Sequence, residues 1–342
     1  MNLTAFPQKN KMISANAIAE LLEEHYTILM KEFYEMQSTF LSTRYKVHHN
    51  LETTCIIICF IRSCHLSIIR QREKNLDYNL SLNNFIYNLD KVYNSDAVSH
   101  KIVSIVSTTG IPKETVRRKL KKLVKREFVL SNKHKRYYWY LSPVRRNNFI
   151  KIMKEDIKAI AKFISNISKN LNLNFTQKMI ENEIEKEFSF YFYHFLDCQL
   201  TWLKMWQTKI KDIDLVFIAM QVLIPTLQYT EKDINPKNLG LNNLHKIIGH
   251  TNSQYKLANN AISATSISEV SGIPRATCIR KLDKLVKLGL LVREVKTKRY
   301  YVNQFTSDRT KHILKKDNII FTIQSFSDFL SIVITALARK KR

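Results

Sequence analysis

Two basic segments of closely similar sequence contain the residues of this chain with the clearest potential for chemistry. Residues 110–125 read GIPKETVRRKLKKLVK and residues 272–287 read GIPRATCIRKLDKLVK, with eleven of the sixteen positions identical at an offset of 162. Lysine ammonium groups and arginine guanidinium groups bind the oxygens of anions, and arginine does so through two parallel hydrogen bonds. The segments therefore predict contact with a strongly anionic partner.

The net charge of the chain is concentrated around these two segments. The 342 residues include 55 Lys and Arg against 29 Asp and Glu, which gives a formal charge of +26. Residues 97–141 contribute +10 and residues 258–304 contribute +6, so these regions hold +16 of the total. A charge of this size favours a polyanion as the partner, either nucleic acid or an anionic membrane surface.

The duplication extends to the helices that must position the basic segments. Apolar residues recur at steps of three and four near the N-terminus, which predicts one face of a long helix. The same face recurs 162 residues later, so the whole half of the chain is predicted to be repeated. The first set is Ile18, Leu22, Tyr26, Leu29, Phe33, Met36 and Phe40, and the second is Ile180, Ile184, Phe188, Tyr191, Phe195, Cys198 and Trp202.

Each basic segment is flanked by signals for a second helix and for a hairpin. In the second copy, Ser266 and Glu269 have the spacing of a capping box at the start of a short helix. Gly272 tolerates the positive φ that a tight turn between helices needs, and Pro274 suits the first turn of the next helix. Gly289 is expected to end that helix, before two short strands, LLVREV and RYYV.

The first copy follows the same plan with two exceptions. Ser107 stands where the second copy has the capping Glu269, and Glu127 stands where it has Gly289. Its hairpin is expected to run through FVL, the loop SNKHKR and YYWYL. The first helix and the end of the second helix are therefore expected to be less ideal in this copy.

This pattern resembles the winged helix-turn-helix domains of bacterial transcription regulators. The segment GIPRATCIRKLDKLVKLGLL is similar to the helix-turn-helix of IclR-type and MarR-type proteins, over about 45 residues in each copy. The order of long helix, winged helix and closing helix is similar to a MarR-family subunit, whose terminal helices form the dimer interface. The resemblance implies DNA binding as a dimer, although lysine-rich wings replace the Asp–Arg wing signature of that family.

The expected fold is mainly α with two small β-wings, because the chain has 45% hydrophobic residues but only 5 Gly and 6 Pro. Two tandem winged-helix repeats with a period of about 162 would form a pseudo-dimer within one chain. Repeat 1 covers residues 1–170, with helices over 14–95, a winged helix over 97–143 and a closing helix over 146–170. Repeat 2 covers residues 171–342, with helices over 176–229, a winged helix over 258–304 and a closing helix over 310–338.

The second helix of each unit is predicted to face DNA with the side chains that lie opposite its apolar stripe. Val116, Leu120, Leu123 and Val124 form the stripe of the first copy, and Cys278, Leu282, Leu285 and Val286 form that of the second. The predicted contacts on these helices are Lys113, Thr115, Arg117, Arg118, Lys121 and Lys122, with Arg275, Thr277, Arg280, Lys281 and Lys284. The predicted wing contacts are Lys133, Lys135 and Arg136, with Lys296, Lys298 and Arg299.

The function expected from these features is sequence-specific binding of double-stranded DNA at an imperfect palindrome, as a transcription regulator in the cytoplasm, associated with the nucleoid. A plasmid-type or phage-type replication initiator and a nonspecific architectural nucleoid protein remain alternatives. No nucleotide-binding, metalloprotease or nucleophile motif is present, so we expect neither an enzyme nor a cofactor. The longest apolar stretches, Cys55–Ile61 and Leu215–Met220, are too short to span a bilayer, so no membrane partner is expected.

Two further clusters admit a functional as well as a structural interpretation. Cys55, Cys59 and Cys64 lie close together with His65, which suits either a redox or metal sensor or a set of buried thiols. We expect buried thiols and no metal site. The aromatic residues of Phe188–Phe195, with Trp202 and Trp206, are either core or the wall of an effector pocket, and we expect core.

Overall fold

The computed structural model describes residues 13–93, 98–233, 240–242, 258, 260–303 and 316–340. Over these residues the protein is mainly helical, with two small two-stranded antiparallel sheets. The first half contains α1 (Ala15–Glu24), α2 (Tyr26–His48), α3 (Leu51–Lys74), α4 (Leu82–Tyr93), α5 (Ile102–Thr109), α6 (Lys113–Lys125), β1 (Val129–Ser131), β2 (Tyr137–Trp139) and α7 (Pro143–Asn170). The second half contains α8 (Gln177–Lys186), α9 (Phe188–Ile210), α10 (Ile213–Asp233), α11 (Ala264–Ser271), α12 (Arg275–Lys287), β3 (Leu291–Arg293), β4 (Tyr300–Val302) and α13 (Lys316–Lys340).

These elements confirm the mainly α class with two small hairpins and refine the expected boundaries. The first closing helix begins at Pro143, three residues before the expected position. Proline is well suited to the first turn of a helix. The start of the second closing helix, expected at residue 310, lies outside the described residues, and its described part is Lys316–Lys340. Residues 94–97 and 304–315 also lie outside the described ranges.

The long N-terminal helix expected from the apolar repeat is divided into two helices at His25. Glu187, which is 162 residues later, divides α8 from α9 in the same way. The two residues have nearly the same backbone angles, with φ and ψ of −109° and 33° at His25 and −108° and 39° at Glu187. Apolar periodicity continues through both bends, so a helical pattern alone does not reveal them.

The repeated apolar positions form the core, as predicted. Every residue of both sets, from Ile18 to Phe40 and from Ile180 to Trp202, is buried. Phe33 meets the rings of Trp202 and Phe326, and Phe40 meets the ring of Phe195, with edge-to-face geometry in all three pairs. Aromatic contacts therefore join the two halves at the centre of the molecule.

The long helices of each half pack extensively on helices of the other half. Helix α3 lies against α9, and the equivalent α10 lies against α2. The closing helices follow a related pattern, since α7 packs on α8 and α13 packs on α1. The two halves are therefore interlocked along their length.

A reciprocal pair of glutamines lies where the two halves meet. Gln37 Nε2 donates to Gln199 Oε1 at 3.2 Å, and Gln199 Nε2 donates to Gln37 Oε1 at 2.6 Å. Both side chains are fully buried, and the residues are 162 positions apart. A residue that bonds its own equivalent in both directions is the arrangement expected at a two-fold pseudo-symmetry axis.

Among the residues that the structure describes, two helices are long and apolar enough to cross a bilayer by length and composition, namely α3 and residues 317–340 of α13. The short stretches considered in the sequence do not reveal this, because the criterion applies to the whole helix. Most of the apolar window of α3, 67%, is buried within the protein, which is typical of a core helix. In α13 the buried share is 44%, and its inner face packs on α1 and α9.

His65 on α3 is fully buried in an aromatic cluster. Its ring stacks on Phe85 with a centroid distance of 4.3 Å and meets Phe188 edge-on. Neither ring nitrogen has a hydrogen-bond partner among the described residues. Burial lowers the pKa of His65 to about 3. The imidazole is therefore neutral in the folded protein over the physiological pH range.

This lowered pKa predicts a loss of stability in mild acid. The unfolded chain binds a proton at His65 below about pH 6.5, whereas the folded protein does not until about pH 3. The free energy of unfolding is therefore not reduced by His65 above pH 6.5. As the pH falls below 6.5, proton binding to the unfolded chain lowers this free energy, by about 2 kcal/mol at pH 5. In urea titrations, His65→Leu should reduce the stability difference between pH 7 and pH 5 by about this amount.

Leucine suits this position, because Leu227 is the buried equivalent of His65 in the second half. The matched control is His134→Gln, at an exposed position in the first hairpin loop, which should keep the wild-type difference. An unchanged pH dependence in His65→Leu would contradict the assignment.

Candidate nucleic-acid interface

Unit 1, which we define as α5, α6, β1 and β2, builds its turn around Gly110. This glycine ends α5 in the left-handed region, with φ of 69°, and its N–H donates to the carbonyl of Val106. Helix α6 begins directly after Pro112. Val116, Leu120 and Leu123 are buried as predicted, so the opposite face of α6 is turned outward.

Unit 2, which we define as α11, α12, β3 and β4, repeats this geometry. Gly272 has φ of 73°, which confirms the predicted positive φ, and α12 follows Pro274. Cys278, Leu282 and Leu285 are buried as predicted. The first helix is capped differently from the expectation. Its N-cap is Ser263, whose side chain accepts the N–H of Ser266, so the capping box predicted at Ser266 is wrong.

Both turns pack closely against the long helix of the other half. A Cβ atom at Gly272 would lie 3.0 Å from Lys46 Cγ on α2, and one at Gly110 would lie 3.4 Å from Lys204 Cγ on α9. Glycine is therefore favoured at Gly272 by φ, and a Cβ there would also require the Lys46 side chain to shift by a few tenths of an ångström. The ends of α6 and α12 have the same backbone geometry, since Glu127 adopts a left-handed φ of 54° where Gly289 adopts 75°. A glutamate adopts this conformation less readily than a glycine, so the end of α6 is the less ideal of the two, as expected.

Most of the predicted contact residues are exposed on one side of these helices. The exposed ones are Lys113, Arg117, Arg118, Lys121 and Lys122 on α6, and Arg275, Arg280 and Lys284 on α12. Thr115 and Thr277 are half-buried at the edge of that face. Arg117 lies 3.5 Å from Glu114, and Arg275 Nε donates to Thr265 Oγ1 at 3.0 Å. Of the four exposed arginines on these helices, Arg118 and Arg280 are the two for which the structure gives no ion pair or side-chain hydrogen bond.

The structure corrects the expected outward position of Lys281. Its Nζ lies 2.8 Å from Asp212 Oδ1 and 3.4 Å from Asp214 Oδ2, and its side chain is only 13% exposed. Lys119, its equivalent on α6, bonds Asn50 and lies 3.0 Å from Glu52 Oε2. Each lysine therefore ties its basic helix to the start of α3 or α10. Helical periodicity places both at the edge of the apolar stripe but does not reveal the acidic partners.

Replacing Lys281 with methionine should therefore lower stability and leave nucleic-acid affinity unchanged. The loss leaves Asp214 without its cation and Asp212 with only the longer contact to Lys284 Nζ at 3.9 Å, with an expected cost of about 1–3 kcal/mol in the free energy of unfolding. Urea unfolding and DNA titration of the folded protein measure the two effects separately. Arg280→Gln, one residue away and exposed, is the matched control and should show the reverse. A loss of affinity in Lys281→Met at full folding would restore Lys281 to the interface.

The hairpins place most of the predicted wing cations in solvent. Lys133 and Lys135 are exposed in unit 1, and Lys296, Lys298 and Arg299 are exposed in unit 2. Arg136 differs, because it is half-buried and its Nη1 donates to Ser99 Oγ at 2.9 Å, at the start of the unit. This partner precedes α5 in the chain, so the wing sequence alone does not indicate it.

The two wings differ in length and in their internal bonds. Residues 132–136 connect β1 and β2, whereas residues 294–299 connect β3 and β4, which is one residue longer. Asn132 Oδ1 accepts the N–H groups of His134 and Arg136 in the first loop. Glu294 accepts from Thr297 in the second. Side-chain caps therefore hold both loops in a defined conformation.

Sequence reasoning missed several cations that extend the same exposed surface. These are Lys101, Lys125, Arg126, Lys287 and Arg293. All lie inside the regions of high positive charge, so the charge count was the available signal. The carboxylates exposed on unit 1 are Glu114 and Glu127, and unit 2 has an exposed Glu269 with the half-buried Asp283 and Glu294, so cations outnumber carboxylates in both units. The field at both basic helices is therefore strongly positive.

The cysteines of α3 are buried free thiols, as expected. Burial raises the pKa of Cys59 and of Cys64 to about 12, so both are neutral near pH 7. A redox sensor needs a thiolate near neutral pH, which this environment disfavours. Within the described ranges, no group of three or more His, Cys, Asp and Glu residues could hold a metal ion. Phe188, Phe192, Phe195 and Trp202 are buried in the core.

Comparison with protein-family models, with curated proteins and with solved structures finds no match to this chain.

Proposed function

We propose that this protein binds double-stranded DNA sequence-specifically through two winged-helix units, which act as a pseudo-dimer within one chain. In this proposal it is a transcription regulator in the cytoplasm, associated with the nucleoid. One observation carries the proposal: α6 and α12 each follow a left-handed glycine turn and expose a face of arginine and lysine opposite a buried apolar stripe. A helix of this diameter and charge suits the major groove of B-DNA.

The charge distribution supports contact with phosphates along most of each unit. Exposed cations extend from the helix to the wing, as with Lys121 and Lys133 in unit 1 and Lys284 and Lys296 in unit 2. Such residues position a protein on the duplex, whereas base edges are read by side chains that enter the groove. Arg118 and Arg280 are the preferred candidates for guanine, because a free guanidinium binds its O6 and N7 atoms together.

The pairing of the halves supports a bipartite site. The reciprocal bonds between Gln37 and Gln199 and the equivalent tethers of Lys119 and Lys281 support an approximate two-fold relation between the two units. Dimeric helix-turn-helix proteins bind half-sites about 34 Å apart, one turn of B-DNA. Of the five aligned positions at which the two helices differ, three change the side-chain charge, where Glu114, Arg117 and Lys121 correspond to Ala276, Ile279 and Asp283. An imperfect palindrome is therefore expected.

Selection of bound sequences from random DNA, followed by footprinting, tests the proposal. We expect a bipartite motif that protects two successive major grooves, and loss of one half of the footprint in an Arg280→Gln, Lys284→Gln double variant. A footprint over a single groove that this variant leaves unchanged would overturn the pseudo-dimer. In competition at fixed salt, a ratio of specific to nonspecific affinity near one would replace regulation by an architectural role.

A genome-wide map of bound sites tests the regulatory role separately. Binding at promoters supports a regulator, whereas binding confined to direct repeats at an origin would identify a replication initiator instead.

A further inference from the structure

A cavity of about 90 Å³ lies in the first half, between the long helices and the base of the first hairpin. Its apolar wall includes Ile57 and Ile58 of α3 and Met153 of α7. Its aromatic wall includes Phe128 and Trp139, at the two sides of the hairpin base. A single water molecule needs about 10–15 Å³ of cavity volume. The cavity could therefore hold about six waters, or a ligand of about six non-hydrogen atoms.

Three basic side chains line the same cavity. They are Arg44 and His48 on α2 and Arg145 on α7. Arg44 is bound to Asp156, with Nη2 to Oδ2 at 2.5 Å, so one cationic charge here is balanced. Arg145 lies over the ring of Phe128 at 4.0 Å and donates to two backbone carbonyls, which leaves its charge without a carboxylate.

The third group, His48, is half-buried and has one ring nitrogen enclosed without a hydrogen bond. Its Nδ1 atom is inaccessible to solvent and has no partner within the part of the chain described. Burial, together with the nearby cations Arg126, Arg44 and Arg145, lowers the pKa of His48 to about 3. The positive potential that disfavours a proton here favours an anion.

The second half does not repeat these polar groups. Trp206 stands at the position equivalent to Arg44, and Ile210 stands at that of His48. Leu290 and Val302 replace the aromatic pair of the hairpin base, since Leu291–Val302 pairs in β3–β4 as Val129–Trp139 pairs in β1–β2. A duplicated core would keep its packing in both copies, so polar groups confined to one copy indicate a use specific to that copy.

We infer that this cavity is a binding site for a small monocarboxylate with a short aliphatic chain. A carboxylate matches the guanidinium of Arg145 and offers an acceptor to a protonated nitrogen of His48. The chain would lie among the isoleucines, where it is removed from water. An occupant would contact Phe128 and Trp139 and so lie against the base of the first wing. The inference does not depend on the proposed DNA binding.

Titration of the full-length protein with butyrate, followed by ligand-observed NMR, tests this site. Butyrate has six non-hydrogen atoms, and we expect saturable binding with a Kd on the order of 1 mM. Butyramide, which has the same shape without the charge, should bind at least tenfold more weakly. Arg145→Gln should weaken butyrate binding about tenfold, whereas Lys209→Gln, an exposed cation on α9 outside the cavity, should leave it unchanged.

A second variant keeps the test independent of Arg145. Ile152 lines the cavity and is partly buried, so Ile152→Phe should fill the space and abolish binding while thermal unfolding confirms the fold. Absence of saturable butyrate binding, equal binding of butyramide, or full binding by folded Ile152→Phe would each overturn the inference.

Discussion

Changing Arg118, Lys121 and Lys122 together to glutamine is expected to weaken DNA binding about 10²-fold at 0.15 M salt. All three side chains are exposed on the outward face of α6. Lys121 and Lys122 are assigned to phosphates, and each phosphate that a cation neutralises contributes about 0.9 to the slope of log K against log salt concentration, so the slope should fall in magnitude by about 1.8. Loss of the guanine contact of Arg118 lowers the affinity further and adds little to the change in slope. Fluorescence anisotropy with a fixed duplex at four salt concentrations measures both quantities.

A control with the same change in net charge separates a local contact from a general electrostatic effect. Lys151, Lys154 and Lys158 are exposed on α7 outside both units, and their triple glutamine variant removes the same three charges. We expect the control to lower affinity much less and to keep the slope nearly unchanged. Equal losses in the two triple variants would mean that α6 has no special role in binding.

Changing Asp156 to alanine is expected to destabilise the protein by about 3–5 kcal/mol. Asp156 is 1% exposed, and it binds Arg44 through two hydrogen bonds, at 3.0 Å and 2.5 Å. Removal of the carboxylate leaves the guanidinium buried without its anion, which costs more than the pair contributes when intact. Urea unfolding at pH 7 measures the loss.

The residues at the equivalent positions of the second half suggest a control variant for this prediction. Trp206 and Asn318 stand at the positions equivalent to Arg44 and Asp156, so the second half has uncharged side chains at both positions. A double variant, Arg44→Met with Asp156→Leu, should therefore recover most of the loss. Glu35→Ala, which breaks an exposed pair with Lys162 at 3.6 Å, should cost less than about 1 kcal/mol. A small loss in Asp156→Ala would show that the buried guanidinium finds another partner.

The duplicated sequence predicted the core and the basic helices because both depend on short-range patterns. The apolar positions from Ile18 to Phe40 and their equivalents follow helical periodicity, and burial follows that periodicity whatever the helix packs against. The turns at Gly110 and Gly272 depend on local backbone geometry, which glycine and the following proline indicate directly. Most of the cations predicted to face outward do so for the same reason.

Features that depend on distant partners were not predictable from the same patterns. Lys281 lies at the edge of an apolar stripe, and only the position of Asp212 at the start of α10 turns it inward. Arg136 is held by Ser99, which belongs to the other end of the unit. The bends at His25 and Glu187 involve neither proline nor glycine, so the sequence contains no local signal for them. The cavity at His48 combines three helices with a hairpin, and no single segment reveals it.

The packing of α3 on α9 has a consequence for synthesis of the chain on the ribosome. Helix α3 contains the run CIIICFI, and the helix that covers part of its surface ends only at Ile210. At roughly 5–20 residues per second, translation of residues 75–210 takes on the order of ten seconds. During that interval the nascent first half has an uncovered apolar surface, which is a target for chaperones. The two halves are thus synthesised one after the other but can complete their packing only together.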